Sequence, residues 1–537
     1  MALDLTGKKI LVIDDFPEMR SMLRKMGVAF RATDIDDAKD GDGALKAMTK
    51  KKYDIILCDY NLGDGKDGQQ ILEEAKFKEL INYSTTFMMI TAENTTEMVM
   101  GAMEYQPDGY LTKPFTKGEF SARLEKIKLR KSDLADIEKA IQRKDPLGAI
   151  VLCDKKLADK PSNTFEILKT KADLCEKLGD VEASSETYEK ALAIRDVPWA
   201  KLGVAKVHYH HGDYMMARDM LQDLIEENSS IVEAYDWLAK TFEALDDLIE
   251  AQKTLVDAIN VSPKAILRQK ELARIAYKNN DLETAESSFK KAIRVGKNSC
   301  FKSPSDFTGL AKVHLDKGSP TDALKTMSGI RDNFNNTPDA TLQVAVMESA
   351  IYNNMGQQEL AEKALDEATH VFNNIPGTIP TDITMDLAKS CFALGKADQA
   401  EDFIKYVVRN HHDDPEILKQ TQELFNSLGM EEAGQALINS TRQEVIDINN
   451  KGVKLAKEGK LEESIDFFAK AASGMPENLT VNLNAAQSLL MFMQKKGKQD
   501  KHLYQTRQYL DRIRKIKSSD EKYQKLLAVY KKITGTK

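Results

Sequence analysis

The stretch Lys9-Ile10-Leu11-Val12-Ile13-Asp14-Asp15-Phe16-Pro17 sets a short apolar run directly before two carboxylates and a proline. Branched apolar residues in a run this brief, closed by turn-forming residues, read as a strand buried on both faces. Similar runs follow at Arg31–Ile35, Asp54–Cys58, Thr86–Ile90 and Gly109–Thr112. Between them lie amphipathic stretches of helical period: Pro17–Ala29, Asp42–Lys51, Asp67–Lys76, Thr95–Tyr105 and Lys117–Lys128. Strands alternating with helices of this length predict a parallel five-stranded sheet covered on both faces, an α/β domain from Lys8 to about Leu129. In such sheets ligands gather at the carboxyl ends of the strands, so the residues closing each strand decide what the domain does.

Those residues are Asp14-Asp15, Asp59, Thr91-Ala92 and Lys113-Pro114. An Asp-Asp pair closing one strand is ordinarily a solvated turn. Three carboxylates converging on one edge are different, because they repel each other unless a divalent cation sits among them. Oxygen-only ligands select Mg²⁺, which keeps several waters and accepts a phosphoryl oxygen. A lysine and a hydroxyl beside the same carboxylates, here Lys113 and Thr91, complete a phosphoryl-binding site. Asp64, Asp67 and the acids of Asp34–Asp42 read as loop charges that deepen the local negative potential.

In this order the residues resemble the receiver domain of bacterial two-component response regulators. The likeness runs through Lys9–Pro17, Leu57-Cys58-Asp59-Tyr60, Ile90-Thr91-Ala92 and Gly109-Tyr110-Leu111-Thr112-Lys113-Pro114-Phe115. It implies a doubly wound, flavodoxin-like sheet and a phosphoacceptor at Asp59, charged by a cognate histidine kinase or phosphotransfer protein. It also implies Mg²⁺ held by Asp14, Asp15, Asp59 and the backbone carbonyl of Asn61, with Thr91 and Lys113 on the phosphoryl oxygens. Tyr110 is then the aromatic that turns inward as Thr91 is drawn to the phosphate, and the Lys113-Pro114 bond is expected to be cis. Asn61 and Glu93 match the types found in chemotaxis-type regulators, where they lie on the path of attacking water.

After about Lys131 the strand signal ends and a different period begins. A turn residue is followed five residues later by a small one, then by bulky or small apolar ones. The copies are Gly179–Ser184–Tyr188–Ala191, Gly212–Ala217–Leu221–Leu224, Asp246–Ala251–Leu255–Ala258 and Asn280–Ala285–Phe289–Ala292. They continue through Gly318–Ala323, Gly356–Ala361, Gly395–Ala400 and Gly459–Ser464, and a further small residue stands seven positions before each turn. The turns at 179, 212, 246 and 280 recur every 33 or 34 residues, and the next three follow at 38 and 39. This spacing resembles the tetratricopeptide repeat (TPR), a helix-turn-helix unit of about 34 residues in which small residues let antiparallel helices approach. The reading is therefore two domains, 1–130 and 131–537, the second an all-α TPR superhelix clearest over 167–476. Its segment Asp414–Asn439 is degenerate, a place for a split or bend, and Asp133–Ala158 forms a further pair beginning from the last receiver helix.

First helices of stacked pairs line a concave face. Residues there not spent on packing include Lys206, Tyr209, Lys240, Arg274, Lys278 and Lys312. They predict a basic, partly aromatic groove for an unknown protein segment bearing carboxylates, and read equally as ordinary solvated positions. Trp199 and Trp237 read as packing anchors. His208-Tyr209-His210-His211 lacks the cysteines or carboxylates that would complete a tetrahedral metal set.

Composition bounds the function classes. Five scattered cysteines fit packed free thiols in a reducing compartment, and apolar runs of about four residues are far short of a span. The expectation is a cytoplasmic protein with no membrane contact. A net charge of −7 with 77 Lys and Arg against 84 Asp and Glu lacks the basic footprint of a nucleic-acid domain. The lysines and arginines near the C-terminus read as the polar cap a solenoid end needs. The chain is thus read as a phosphorylation-dependent signalling adaptor, able to self-associate as a homodimer. Its chemistry is limited to self-phosphorylation and slow autodephosphorylation. The alternatives are a transcription regulator with an unrecognised DNA-binding output, and a phosphate-sink scaffold for a kinase.

Overall fold

The computed structural model of the chain describes residues 3–82, 84–92, 107–132, 134–159, 161, 163–335, 337–375 and 379–535. The expected helix Thr95–Tyr105 and Glu93 lie outside them. Strands β1 (Lys9–Ile13), β2 (Asp34–Ala38), β3 (Ile55–Asp59), β4 (Thr86–Thr91) and β5 (Gly109–Thr112) form one parallel sheet in the order β2-β1-β3-β4-β5. Alternate residues feed opposite cores, as the two-residue period of a strand requires. Leu11, Ile13, Ile56, Cys58, Phe87 and Met89 pack with Leu45, Met48, Ile71 and Leu72 of helices Gly41–Lys50 and Gly68–Phe77. Ile10, Val12, Ile55, Leu57, Met88 and Ile90 pack with Leu23, Phe120 and Leu124 of helices Pro17–Ala29 and Lys117–Ser132. Cover on both faces is why these strands are continuously apolar.

The second strand lies three residues later than the sequence suggested. Arg31 adopts a left-handed φ of 68° that ends the preceding turn, and the strand begins only at Asp34. Its acids are tolerated because the strand is an edge and each acid meets a cation. Lys51 reaches Asp34 and Asp36 at 2.5 and 2.7 Å, and Arg20 and Arg24 reach Asp37 at 3.2 and 3.0 Å. Charges along an edge also discourage strand addition by another chain.

From Ala135 onward the described residues are helical pairs. All eight turn positions read from the sequence take positive φ, from 59° at Asn280 to 84° at Gly212. The small residue after each turn is buried from Ser184 to Ser464. Two hydroxyls show how close the helices come: Ser349 donates to the Ala361 carbonyl and Ser464 to the Gly452 carbonyl, both at 3.0 Å. At Gly452 a Cβ would stand 2.5 Å from the Phe468 ring, so only glycine fits without repacking.

The degenerate segment is neither split nor irregular. Helix Pro415–Ser427 turns at Gly429, φ 67°, into one helix of 27 residues, Glu431–Lys457. That helix serves as the second member of one pair and the first of the next. No glycine or proline interrupts it between Gly434 and Gly452, so the turn signal disappears there.

Packing divides the chain into two compact units, Met1–Glu176 with Glu182–Ser303, and Lys177–Val181 with Pro304–Lys537. The first unit contains the sheet domain together with the early repeats. Among the described residues no helix is long and apolar enough to cross a membrane.

Candidate functional site

Local sequence places each site residue. The Asp14 amide donates to the Ala38 carbonyl at 3.2 Å as β1 ends, and the Phe16 amide donates to Asp14 Oδ1 at 2.9 Å. This turn feeds Pro17 into the first position of its helix, where a missing N–H costs nothing. Arg20, which the sequence reading passed over, donates to the carbonyls of Asp14 and Asp15 at 2.8 and 3.1 Å and braces the loop. The Tyr60 amide donates to the Ile90 carbonyl at 2.8 Å, and the Gly68 amide donates to the Tyr60 carbonyl at 2.8 Å. Gly68 is required here, since a Cβ would collide with the Asp59 carbonyl. Asp67, read as a loop charge, is the N-cap of helix Gly68–Phe77 in a reciprocal capping box with Gln70. The Asp-x-x-Gln spacing at 67–70 was the available signal. At the other end, the Lys113 amide donates to the Thr91 carbonyl at 2.7 Å, and the Lys113-Pro114 bond is cis.

Carboxylate oxygens of Asp14, Asp15 and Asp59 lie within 4.8 Å of one another. Lys113 Nζ stands 3.0 Å from Asp14 Oδ2 and 2.9 Å from Asp59 Oδ1. Asp14 is fully buried and Asp59 is 6% exposed. Burial above all pushes the Asp59 carboxyl up to about 6; Asp14 and Asp15 add to the rise, and the bond from Lys113 opposes it. Burial favours the neutral Lys113 amine, yet its bonds to Asp59 and Asp14 hold its pKa above the ordinary value. Asp15 Oδ1 is buried with no hydrogen-bond partner among the described residues. An orphaned carboxylate oxygen beside two further carboxylates suits a hard divalent cation of the Mg²⁺ type.

Thr91 ends β4 and is buried, one residue beyond Ile90, which pairs with Asp59. Tyr110 on β5 packs its ring against the cluster containing Tyr60; its buried hydroxyl has no partner among the described residues. Asn61 is exposed and its side chain accepts from the Gly63 amide at 3.3 Å.

Most cations of the expected groove meet acids within the array. Lys206 lies 2.6 Å from Glu233 and 3.7 Å from Glu176, and Lys278 lies 2.7 Å from Glu243. Arg274 bonds both Glu243 and Glu271, and Lys312, in the second unit, pairs with Asp386. Apart from Glu271, which shares a helix with Arg274, the acids that pair these cations come from other helices of the array, a proximity the linear sequence hides. What stands out instead is Trp237, with Lys240 4.7 Å over its ring and Tyr209 and His210 at 5.3 and 5.6 Å.

A doubly wound five-stranded sheet with three carboxylates and a lysine at its carboxyl edge defines a receiver domain. Residues 10–125 match the response regulator receiver domain family, and residues 166–197 match the tetratricopeptide repeat. The sequence is 31% identical over 119 residues to the chemotaxis protein CheY-3 of Vibrio cholerae, covering 22% of this chain and 90% of that protein. It is 32% identical over 152 residues to the alkaline phosphatase synthesis transcriptional regulatory protein PhoP of Bacillus subtilis, covering 28% of this chain and 60% of PhoP. Among solved structures, a tetratricopeptide repeat protein from Parabacteroides merdae aligns with a TM-score of 0.34 and 14% identity, over 48% of this chain and 97% of that one. The chain belongs to the response regulator receiver family, with TPR repeats behind the receiver.

Proposed function

We propose that Asp59 is the phosphoacceptor of a two-component phosphorelay and that the repeats carry its state to a protein partner. The supporting observation is the convergence of Asp14, Asp15 and Asp59 with Lys113 Nζ bonded to two of them. An Asp59 carboxylate oxygen attacks the phosphorus of a phosphohistidine on the kinase or phosphotransfer protein. The P–N bond breaks, its electron pair returns to the imidazole, and an acyl phosphate remains on Asp59. Lys113 keeps Asp59 ionised and then follows the phosphoryl oxygens, with the Thr91 hydroxyl as second donor. Mg²⁺ held by Asp14, Asp15, Asp59 and the Asn61 carbonyl would offset the charge of the transferring group. Hydrolysis by water returns the carboxylate, which makes the signal transient.

In this reading residues 1–130 are the receiver and 131–537 the output array, working in the cytoplasm and open to homodimer formation. The capture site on the repeats is centred on Trp237, Tyr209 and Lys240, the part of the groove left after its cations pair internally. Thermal unfolding with Mg²⁺ and beryllofluoride, a phosphoryl mimic, tests the site. Ligand bound only by the folded state raises stability by mass action. The shift should be lost in Asp15→Ala and Lys113→Ala; an unchanged shift in both would move the pocket elsewhere.

A further inference from the structure

Within the first compact unit, two loops that join successive repeats touch the receiver. One contains Lys264, between helices Leu248–Val261 and Ile266–Lys278. Its ammonium lies 3.3 Å from the Tyr60 hydroxyl and 5.1 Å from the centre of the Tyr60 ring. The other is Gly296–Ser303, between helices Leu282–Val295 and Pro304–Asp316. There Asn298 donates to the Gly65 carbonyl at 2.7 Å, Ser299 bonds Glu73, and Cys300 Sγ lies 3.5 Å from Glu73 Oε1. Phe77 and Phe301 meet edge to face at 5.5 Å.

Two features mark this as a built contact. Glu73 is only 4% exposed, although it lies on the face of helix Gly68–Phe77 opposite the sheet core, where a polar residue normally meets water. The second loop also explains a break in the repeat period. Turn to turn, Asn280 to Gly318 spans 38 residues instead of 34, yet the helices between keep 14 and 13 residues. The added length is loop, and it is this loop that reaches the receiver.

We propose that Lys264 and the segment Gly296–Phe301 form a docking surface for the receiver's own Tyr60–Phe77 segment, and that loading the Asp59 site tightens it. The coupling clause rests on the phosphoacceptor reading; the docking does not. Tyr60 directly follows Asp59, and the loop Asn61–Asp67 joins the acceptor to the docked helix. Gly63 and Gly65 sit in that loop with φ of 71° and 110°, which leaves it entropically costly to order. Holding a cation through the Asn61 carbonyl fixes one end of the loop, while Asn298 fixes the Gly65 carbonyl. Each event lowers the ordering cost of the other, and the linkage is reciprocal.

Cys300 supplies the test, because the other four cysteines are buried. In the full-length chain, Glu73→Cys places a second thiol beside it. Mild oxidation should join the two, read by peptide mass, and Mg²⁺ with beryllofluoride should speed the cross-link severalfold over the EDTA state. Absence of the cross-link in both states overturns the docking. An equal or slower rate in the loaded state overturns the coupling. Burial first, then the Glu73 carboxylate, push the native Cys300 thiol up to about 12, so alkylation of the docked chain should be slow. Phe77→Asp, at an exposed receiver position, should speed Cys300 alkylation at least tenfold; an unchanged rate contradicts docking independently of the cross-link. Labelling of Asp59→Asn by a phosphoryl donor would remove the acceptor assignment while leaving the EDTA cross-link as evidence for docking.

Discussion

Lys113 Nζ lies 2.9 Å from Asp59 Oδ1, so the end of β5 supplies the cation that keeps the end of β3 ionised. Burial and two neighbouring acids work toward protonating Asp59, and Lys113 works against them. Charge-assisted hydrogen bonds of this kind are worth roughly 1.5–3 kcal/mol. Lys113→Ala should therefore slow phosphorylation by phosphoramidate in Mg²⁺ by about ten- to a hundredfold. The rate of mass gain measures it, and a wild-type rate would leave Lys113 outside the chemistry.

The same crowding predicts a stability gain when the acid is removed. The Asp59 carboxyl has an ordinary value of 3.8 and is raised to about 6 in the fold. The folded state then holds the proton more tightly, so stability falls as pH rises through that window and the full cost is present above it. Asp59→Asn in EDTA should stabilise the receiver by about 1–3 kcal/mol at pH 8 and hardly at all near pH 3. Amide exchange of the β1 and β3 core reads this directly, and a loss of protection at pH 8 would contradict the reading.

A second buried acid follows the same rule away from the site. Glu138 is 4% exposed, with Oε1 unpartnered among the described residues. Burial chiefly pushes it up to about 7, Lys131 opposes, and Asp108 adds to the rise. Raised in the fold, it costs stability progressively between its ordinary value and about 7. Glu138→Gln should increase exchange protection in helix Ala135–Gln142 at pH 8 and leave it unchanged at pH 4.

The repeats make a packing prediction. Ala251 is fully buried in the cluster that Trp237 packs against. Ala251→Leu inserts carbons where two helices need a small residue, at a cost of about 1–3 kcal/mol. Both tryptophans, Trp199 and Trp237, lie in the repeats, so urea unfolding followed by tryptophan fluorescence reports the loss without interference from the receiver.

Much of this was legible in the sequence for identifiable reasons. The sheet's strands are buried on both faces, so Ile10–Ile13 and Ile55–Cys58 announced themselves as unbroken apolar runs. β2 did not, because an edge strand paired to Lys51, Arg20 and Arg24 can be written Asp-Ile-Asp-Asp-Ala. The site residues close strands, and a parallel sheet brings strand ends together, so Asp14, Asp59 and Lys113 could be joined before any distance was known. Positive φ favours glycine, asparagine and aspartate, the residues that occupy all eight repeat turns, which made those turns visible. The charge of the groove was not legible because on a helical array it is set between repeats: Glu233 beside Lys206 and Glu243 beside Arg274 are neighbours only after stacking. The contact between Cys300 and Glu73 left a trace only as an unexplained lengthening of one repeat.

Transfer of a phosphoryl group to Asp59 can be read at the residue itself. Incubation of the full-length chain with phosphoramidate and Mg²⁺, followed by borohydride reduction of the acyl phosphate and peptide mass mapping, locates the modified residue. Reduction should occur at Asp59 alone, and be absent in EDTA and absent in Asp59→Asn. Modification at Asp14, Asp15 or any other residue, or undiminished labelling of Asp59→Asn, would contradict it.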